Sequence, residues 1–161
     1  MAAADDPGTA MLVPYFDGER TPNLPDATGT FAGLTNSTTR EQLALAAHDG
    51  VLCGVLHGVD ALREVGATVD GRVFLVGGGA RSIAYRQRCA DLLGATITVP
   101  HADETAATGA AAQAAAIASG ETPDDVAQRW NLGAGTDVVP AHDATDRRPL
   151  YAHHAAQACT T

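Results

Sequence analysis

The sequence predicts an α/β fold in which short strands alternate with helices and parallel pairing is available. Three observations carry that reading. A capping box opens a long stretch of apolar residues at helical spacing. The run Arg72–Val76, β-branched and aromatic, lies between Gly71 and Gly77 and is followed by a glycine turn. A second such run, Ala95–Pro100, leads into an alanine-rich segment.

The elements follow in order. Residues 1–10 are small and polar and read as a disordered leader. Met11–Phe16 is a short apolar run with strand character. Asp17–Asp26 is turn chemistry, with prolines at 22 and 25 and Gly18. Gly29–Leu34 is a second short strand. Thr39 stands three residues before Gln42, and Thr38 three before Glu41, so either pair makes a capping box. Leu45, His48, Leu52, Val55, Val59 and Leu62 then recur at three and four residues, which predicts one buried helix face. Gly66 is a helix stop.

Arg72–Val76 reads as a buried strand, and Gly77–Ala80 as a turn. Ser82 is placed to cap a helix that carries Ile83, Cys89, Leu92 and Leu93 and stops at Gly94. After the strand Ala95–Pro100, Asp103 opens a helix running from Glu104 to about Ser119, where Gly109 and the alanines suit close packing. Pro123 marks the first turn of a short helix that ends near Trp130, an expected core anchor. From Gly133 the chain reads as irregular. The domain reading is therefore a leader over 1–10, one α/β lobe over 11–132 and an irregular tail over 133–161.

The composition excludes several functions. The chain has 161 residues, 45% hydrophobic and 4% aromatic, enough for one sizeable core. Ten basic residues face 19 acidic ones, a formal −9, with a pI near 4.8. All ten are arginine. Without lysine there is neither a Walker-A loop nor a Schiff-base centre. An acidic chain with no basic run is also unsuited to nonspecific nucleic-acid binding. Cys53, Cys89 and Cys159 have no metal or CxxC spacing; Cys53 and Cys89 sit in apolar helical patterns and read as buried free thiols, in keeping with a reducing cytoplasm. Neither a signal peptide nor a membrane span is visible. His48 lies on the helix stripe and reads as structural. His153 and His154 are adjacent, a poor arrangement for one metal, and no metal site is assigned.

Three motifs carry a resemblance. The first is the stretch ending in Gly18-Glu19-Arg20-Thr21-Pro22. The second is Gly29–Thr35 followed by Gln42–Asp49. The third is Val76-Gly77-Gly78-Gly79-Ala80-Arg81-Ser82 followed by Glu104–Ala111. Together and in this order they resemble the C-terminal domain of the FGGY carbohydrate kinases, most closely the branch that phosphorylates the pentulose xylulose. His48 departs from the second motif, where an aliphatic or aromatic residue is usual. The resemblance spans roughly residues 11–120.

The resemblance implies an α/β lobe of the actin-like ATPase (ribonuclease H-like) architecture and phosphoryl transfer from Mg·ATP to a sugar hydroxyl. It assigns the adenosine end of ATP or ADP to Gly77, Gly78, Gly79 and Ala80. Ser37 and Glu41 align with a nucleotide-contacting glycine and a glutamine in a glycerol kinase member. Plain helix capping is the other reading of those two residues. A full member is much longer, so the catalytic aspartate, the first phosphate loop and most sugar contacts are expected in an N-terminal lobe outside this chain; the family's second phosphate loop, Gly-Thr, is expected just upstream of Met11, and residues 1–10 do not match it. Asp5, Asp6 and Asp17 take no catalytic role. The pentulose then binds only with that complementing lobe, and the chain alone is expected to be inactive. Two alternatives stay open: a non-catalytic α/β interaction or nucleotide-binding module that forms homo-oligomers through the exposed cleft face, and an unrelated α/β protein with similar motifs. Neither nucleic acid nor membrane is an expected partner.

Overall fold

The computed structural model describes residues 7–102 and 104–158. They form two compact units. Unit 1 takes the described residues up to Gly71, then Asp91–Gly94 and those from Ala141 onward. Unit 2 takes Arg72–Ala90 and Ala95–Pro140. No helix among the described residues is long and apolar enough to cross a membrane.

In unit 1, β1 (Met11–Val13) pairs antiparallel with β2 (Thr30–Ala32), Leu12 opposite Phe31. All three β1 residues are buried. The helix α1 (Arg40–Glu64) starts where local chemistry dictates. Thr39 Oγ1 accepts from the Gln42 amide at 3.2 Å, and Gln42 Oε1 accepts from the Thr39 amide at 3.0 Å. Of the two overlapping capping boxes, this is the one formed. The end is equally local. Gly66 has φ +82, its amide bonds Arg63 O, and the Ala67 amide reaches back to Leu62 O. Those two bonds are the Schellman pattern that a glycine in the left-handed region permits.

The buried face of α1 differs from the predicted stripe. It comprises Ala46, Asp49, Gly50, Leu52, Cys53 and Leu56, whereas Val55 and Leu62 are exposed and His48 and Val59 only half-buried. Close approach to β1 is the reason. A Cβ on Gly50 would clash with the Leu12 carbonyl and lie 2.8 Å from the Leu12 Cβ. Gly50 permits that approach, Leu52 and Leu56 are buried on the same face, and Val55 and Leu62 fall outside it.

Asp49 also sits on that face, fully buried, against α5 (Arg147–Ala158). Arg147 Nε donates to Asp49 Oδ2 at 2.8 Å. Its two terminal nitrogens donate to the Gly8 and Ala10 carbonyls at 2.8 and 2.6 Å. One guanidinium thus ties together α1, α5 and the strand entering β1. Buried Asp91 performs a similar task, accepting from the Ala141 and His142 amides at 2.8 and 3.2 Å.

These contacts correct the domain reading at both ends. Residues 1–6 of the expected leader lie outside the described residues. Gly8 and Ala10 are bonded to Arg147, Ala10 is buried, and Thr9 Oγ1 donates to Gly33 O at 2.7 Å. The expected irregular tail holds β5 (Gly135–Val138) and α5. Helix α5 buries only Arg147, Tyr151 and Ala155, a four-residue spacing with an arginine in it that hydrophobic periodicity does not register.

In unit 2 a three-stranded sheet runs β3 (Val73–Phe74), β4 (Ile97–Pro100), β5. The β3–β4 pairing is parallel, as strand–helix alternation predicts, and β5 joins antiparallel. The central strand β4 holds the buried residues. At the sheet's edge β3 is exposed, contrary to the buried strand expected there. Its Phe74 ring is partly covered by the Arg72 guanidinium, 4.7 Å from the ring centre, which also donates to Gly133 O at 3.0 Å.

Helix α2 (Ile83–Leu93) begins after Ser82, whose Oγ accepts from the Tyr85 amide at 3.3 Å. The chain turns at Gly94, with φ +68. Its Cys89, Ala90 and Leu92 are buried, but Ile83 is exposed. Cys53 and Cys89 are buried free thiols. Cys159 lies outside the described residues.

Helices α3 (Thr105–Ser119) and α4 (Pro123–Arg129) pack through Ala112, Ala116 and Val126, with Ala115 and Leu132 alongside. Thr122 and Asp125 form a capping box before Pro123. Two expectations fail here. Trp130 caps the C-terminus of α4 and is 40% exposed, so it is no core anchor. Gly109 is not at a close contact, because nothing lies within 4 Å of the place its Cβ would occupy.

Candidate functional site

Unit 2 contains an open cavity of about 200 Å³ at the carboxyl ends of the parallel strands β3 and β4. That is where ligands enter open α/β sheets, because the loops leaving the strands diverge there. Leu75, Val76 and Gly77 follow β3, Val99 and Pro100 end β4, and Ala102 follows it. Glu104 and Thr105 begin α3, Gly78, Ala80 and Arg81 form the turn, and Arg86 comes from α2.

The turn is a short 3-10 segment, Gly78–Arg81. Gly77 precedes it with φ +91, a conformation that glycine adopts without steric penalty. The Ala80 amide closes on Gly77 O, and the Ser82 amide on Gly79 O, both at 3.1 Å. Arg86 Nε donates to the Ala80 carbonyl.

The three glycines serve different needs. Gly77 is required by its backbone angle. Gly79 is required by packing, since a Cβ there would lie 2.8 Å from Tyr85 Cε1. Gly78 lines the cavity, has no left-handed backbone and has nothing within 4 Å of its would-be Cβ. Neither conformation nor packing within the chain demands glycine there. A backbone left bare beside a cavity is the property a closely approaching ligand needs.

Among the described residues, two arginines, Arg81 and Arg86, and one carboxylate, Glu104, line this cavity. Glu104 is the N-cap residue of α3, but its side chain makes no capping bond. The described wall therefore offers cationic donors, a carboxylate acceptor and the apolar surfaces of Leu75, Val76, Val99 and Pro100.

The site residues expected from sequence fall in two places. Gly77, Gly78 and Ala80 line the cavity in unit 2, with Gly79 in the same turn against Tyr85. Ser37 and Glu41 belong to unit 1. Ser37 is exposed, its Oγ 2.9 Å from Thr35 Oγ1, in a turn where the Thr35 amide donates to Thr38 Oγ1. It does not cap α1, a task that falls to Thr39. Glu41, in the first helical turn, accepts from Arg40 Nε at 2.6 Å, and that guanidinium holds its carboxyl below the ordinary carboxylate value. Arg81 stands in the glycine motif and Arg86 outside it, and sequence reading gives neither a site role. For Arg86 the available signal was its distance from Ala80, one turn into the capped helix.

Unit 1 has its own cavity, about 330 Å³, beside Cys53, His57, Arg148 and Tyr151. Arg148 pairs there with Asp60, which also accepts from Arg63 at 3.0 Å. Burial and the neighbouring Tyr15 raise the Tyr151 phenol above its ordinary value. Among the described residues, no group of three or more His, Cys, Asp or Glu stands together to hold a metal ion.

Known proteins match along most of the chain. The C-terminal domain of the FGGY family of carbohydrate kinases matches residues 1–118. The chain is 43% identical over 148 residues to a xylulose kinase of Streptomyces coelicolor, covering 90% of this chain and 31% of that protein. The crystal structure of xylulose kinase from Bifidobacterium adolescentis superposes with a TM-score of 0.74 at 38% identity, over 96% of this chain and 30% of that one. Xylulose kinase from Rhodospirillum rubrum gives 0.78 at 30% identity, over 98% of this chain and 32% of that one. The chain thus spans about a third of the length of these relatives.

Proposed function

Because the chain belongs to the FGGY family of carbohydrate kinases, as its C-terminal domain with the family's actin-like ATPase fold, we propose that it is the nucleotide-binding lobe of an enzyme that phosphorylates D-xylulose. The observation that carries this reading is Gly78: a bare backbone beside an open cavity, at the carboxyl ends of parallel strands, with no structural demand for glycine.

In this reading the base and ribose of ATP lie against Gly77, Gly78 and Ala80. Val76 and Pro100 offer apolar surface to them, and Glu104 offers a carboxylate acceptor for donor groups on that end of the nucleotide. ATP with its magnesium ion supplies the phosphoryl group that passes to a sugar hydroxyl. This chain's share of the work is binding and orientation. The general base and the sugar contacts belong to the complementing lobe that the family resemblance implies. Positioning shared between lobes is lost when one is missing, so the chain alone turns over no sugar.

The test is a calorimetric titration of ADP with magnesium into the 161-residue chain and into Gly78→Asp. A Cβ at position 78 meets nothing within 4 Å, so the two proteins are expected to melt alike, which circular dichroism on heating checks. Binding is expected for the parent chain and loss of it in Gly78→Asp. A parent chain that does not bind ADP, or a variant that binds equally well, overturns the proposal. D-xylulose phosphorylation by the chain alone, followed in a coupled assay, would contradict the division of labour between lobes.

A further inference from the structure

We infer that Arg86 is a positioning residue for the nucleotide cradle, holding the glycine turn in its binding shape through the Ala80 carbonyl; the inference rests on the nucleotide reading of this cavity. Within the turn only Ala80 is buried; the glycines and Arg81 are exposed. Gly77 and Gly78 have nothing within 4 Å of their would-be Cβ atoms, so side-chain packing does not hold them. Two weak 3-10 closures, Ala80 to Gly77 and Ser82 to Gly79, set its backbone. What anchors it from outside is the first turn of α2. The Tyr85 ring lies under Gly79, and the partly buried Arg86 donates Nε–H to Ala80 O. Arg86 also lines the cavity itself. Its side chain therefore links the capped, regular helix to the backbone that the ligand must touch. A hydrogen bond from an ionised donor is about twice as strong as a neutral one, enough to select one turn geometry.

A side-chain series separates bracing from charge. In Arg86→Gln the amide nitrogen lies the same number of bonds from Cα as Nε, so a donor to Ala80 O is kept and the charge is lost. Arg86→Met keeps length and loses the donor. Two readouts are taken on the full 161-residue chain: amide hydrogen exchange across residues 77–82 without ligand, and calorimetric affinity for ADP with magnesium. The expectation is faster exchange in Arg86→Met, with affinity down about tenfold, roughly one charge-assisted hydrogen bond. Arg86→Gln should keep exchange near the parent's and lose less affinity than Arg86→Met. Unchanged exchange and affinity in Arg86→Met overturn the inference. So does an Arg86→Gln that loses affinity as Arg86→Met does while its exchange stays slow, because charge and not bracing would then be at work. If the parent chain binds no ADP although Arg86→Met loosens the turn, the brace is real and the nucleotide assignment is what fails.

Discussion

Replacing Arg147 with methionine gives a direct measure of what holds unit 1 together. The wild-type guanidinium makes three hydrogen bonds of 2.6–2.8 Å, to Asp49 Oδ2 and to the Gly8 and Ala10 carbonyls. Both charged side chains are buried, 3% and 0% exposed. Methionine fills part of the volume and supplies no donor. Asp49 then stays in the interior without the guanidinium that balances it. Removing one partner of a buried pair costs about 3–5 kcal/mol, because the remaining charge is neither paired nor returned to water. For a protein of this size each kcal/mol moves the melting temperature by about 2–4 °C, so a fall of roughly 6–20 °C is expected. Circular dichroism on heating, with urea titration for the free energy, measures it. The double variant Asp49→Leu/Arg147→Met removes both charges. It should be no less stable than Arg147→Met, since the stranded carboxylate is gone. A loss below about 1 kcal/mol in the single variant, or strictly additive losses in the double, would refute the pairing argument.

Two further outcomes follow from the same structure. Alanine at two glycines of α1 should act with opposite sign. Gly50→Ala pushes a Cβ into the Leu12 carbonyl and should cost about 1–3 kcal/mol, whereas Gly58→Ala meets nothing within 4 Å and should gain about 0.5–1 kcal/mol in urea midpoint analysis. Equal effects at both sites would contradict the packing of β1 on α1. Stability should also decline on the alkaline side. Burial raises the Cys89 thiol and the Tyr151 phenol above their ordinary values of 9.0 and 10.0. The unfolded chain therefore loses these protons first, and the contribution is complete below about pH 9 and fades as pH rises beyond it. A urea midpoint that stays flat from pH 8 to about pH 10.5 would count against it.

What was legible in the sequence is what the chain decides locally. The Thr39–Gln42 box, the Gly66 stop, the Ser82 cap and the Pro123 start all involve partners within a few residues, so the residues themselves announce them. The glycine turn was legible for the same reason, being one contiguous run between a strand and a helix. The family resemblance rests on runs of this kind.

Tertiary structure alone decided which face of α1 is buried, because apolar and small residues are present all around that helix and only the approach of β1 selects among them. It decided that Gly135–Val138 is a strand, since Gly135 lies against the Val99 carbonyl of its neighbour and the segment's own pattern is nearly featureless. Arg147 meets Asp49 across 98 positions of sequence, and Arg86 reaches back to Ala80 from within the following helix. The sequence by itself determined the local starts, stops and turns, and the class of fold they add up to. Packing determined register, buried charge pairs and the bracing of the site, because those free energies depend on which distant surfaces come into contact.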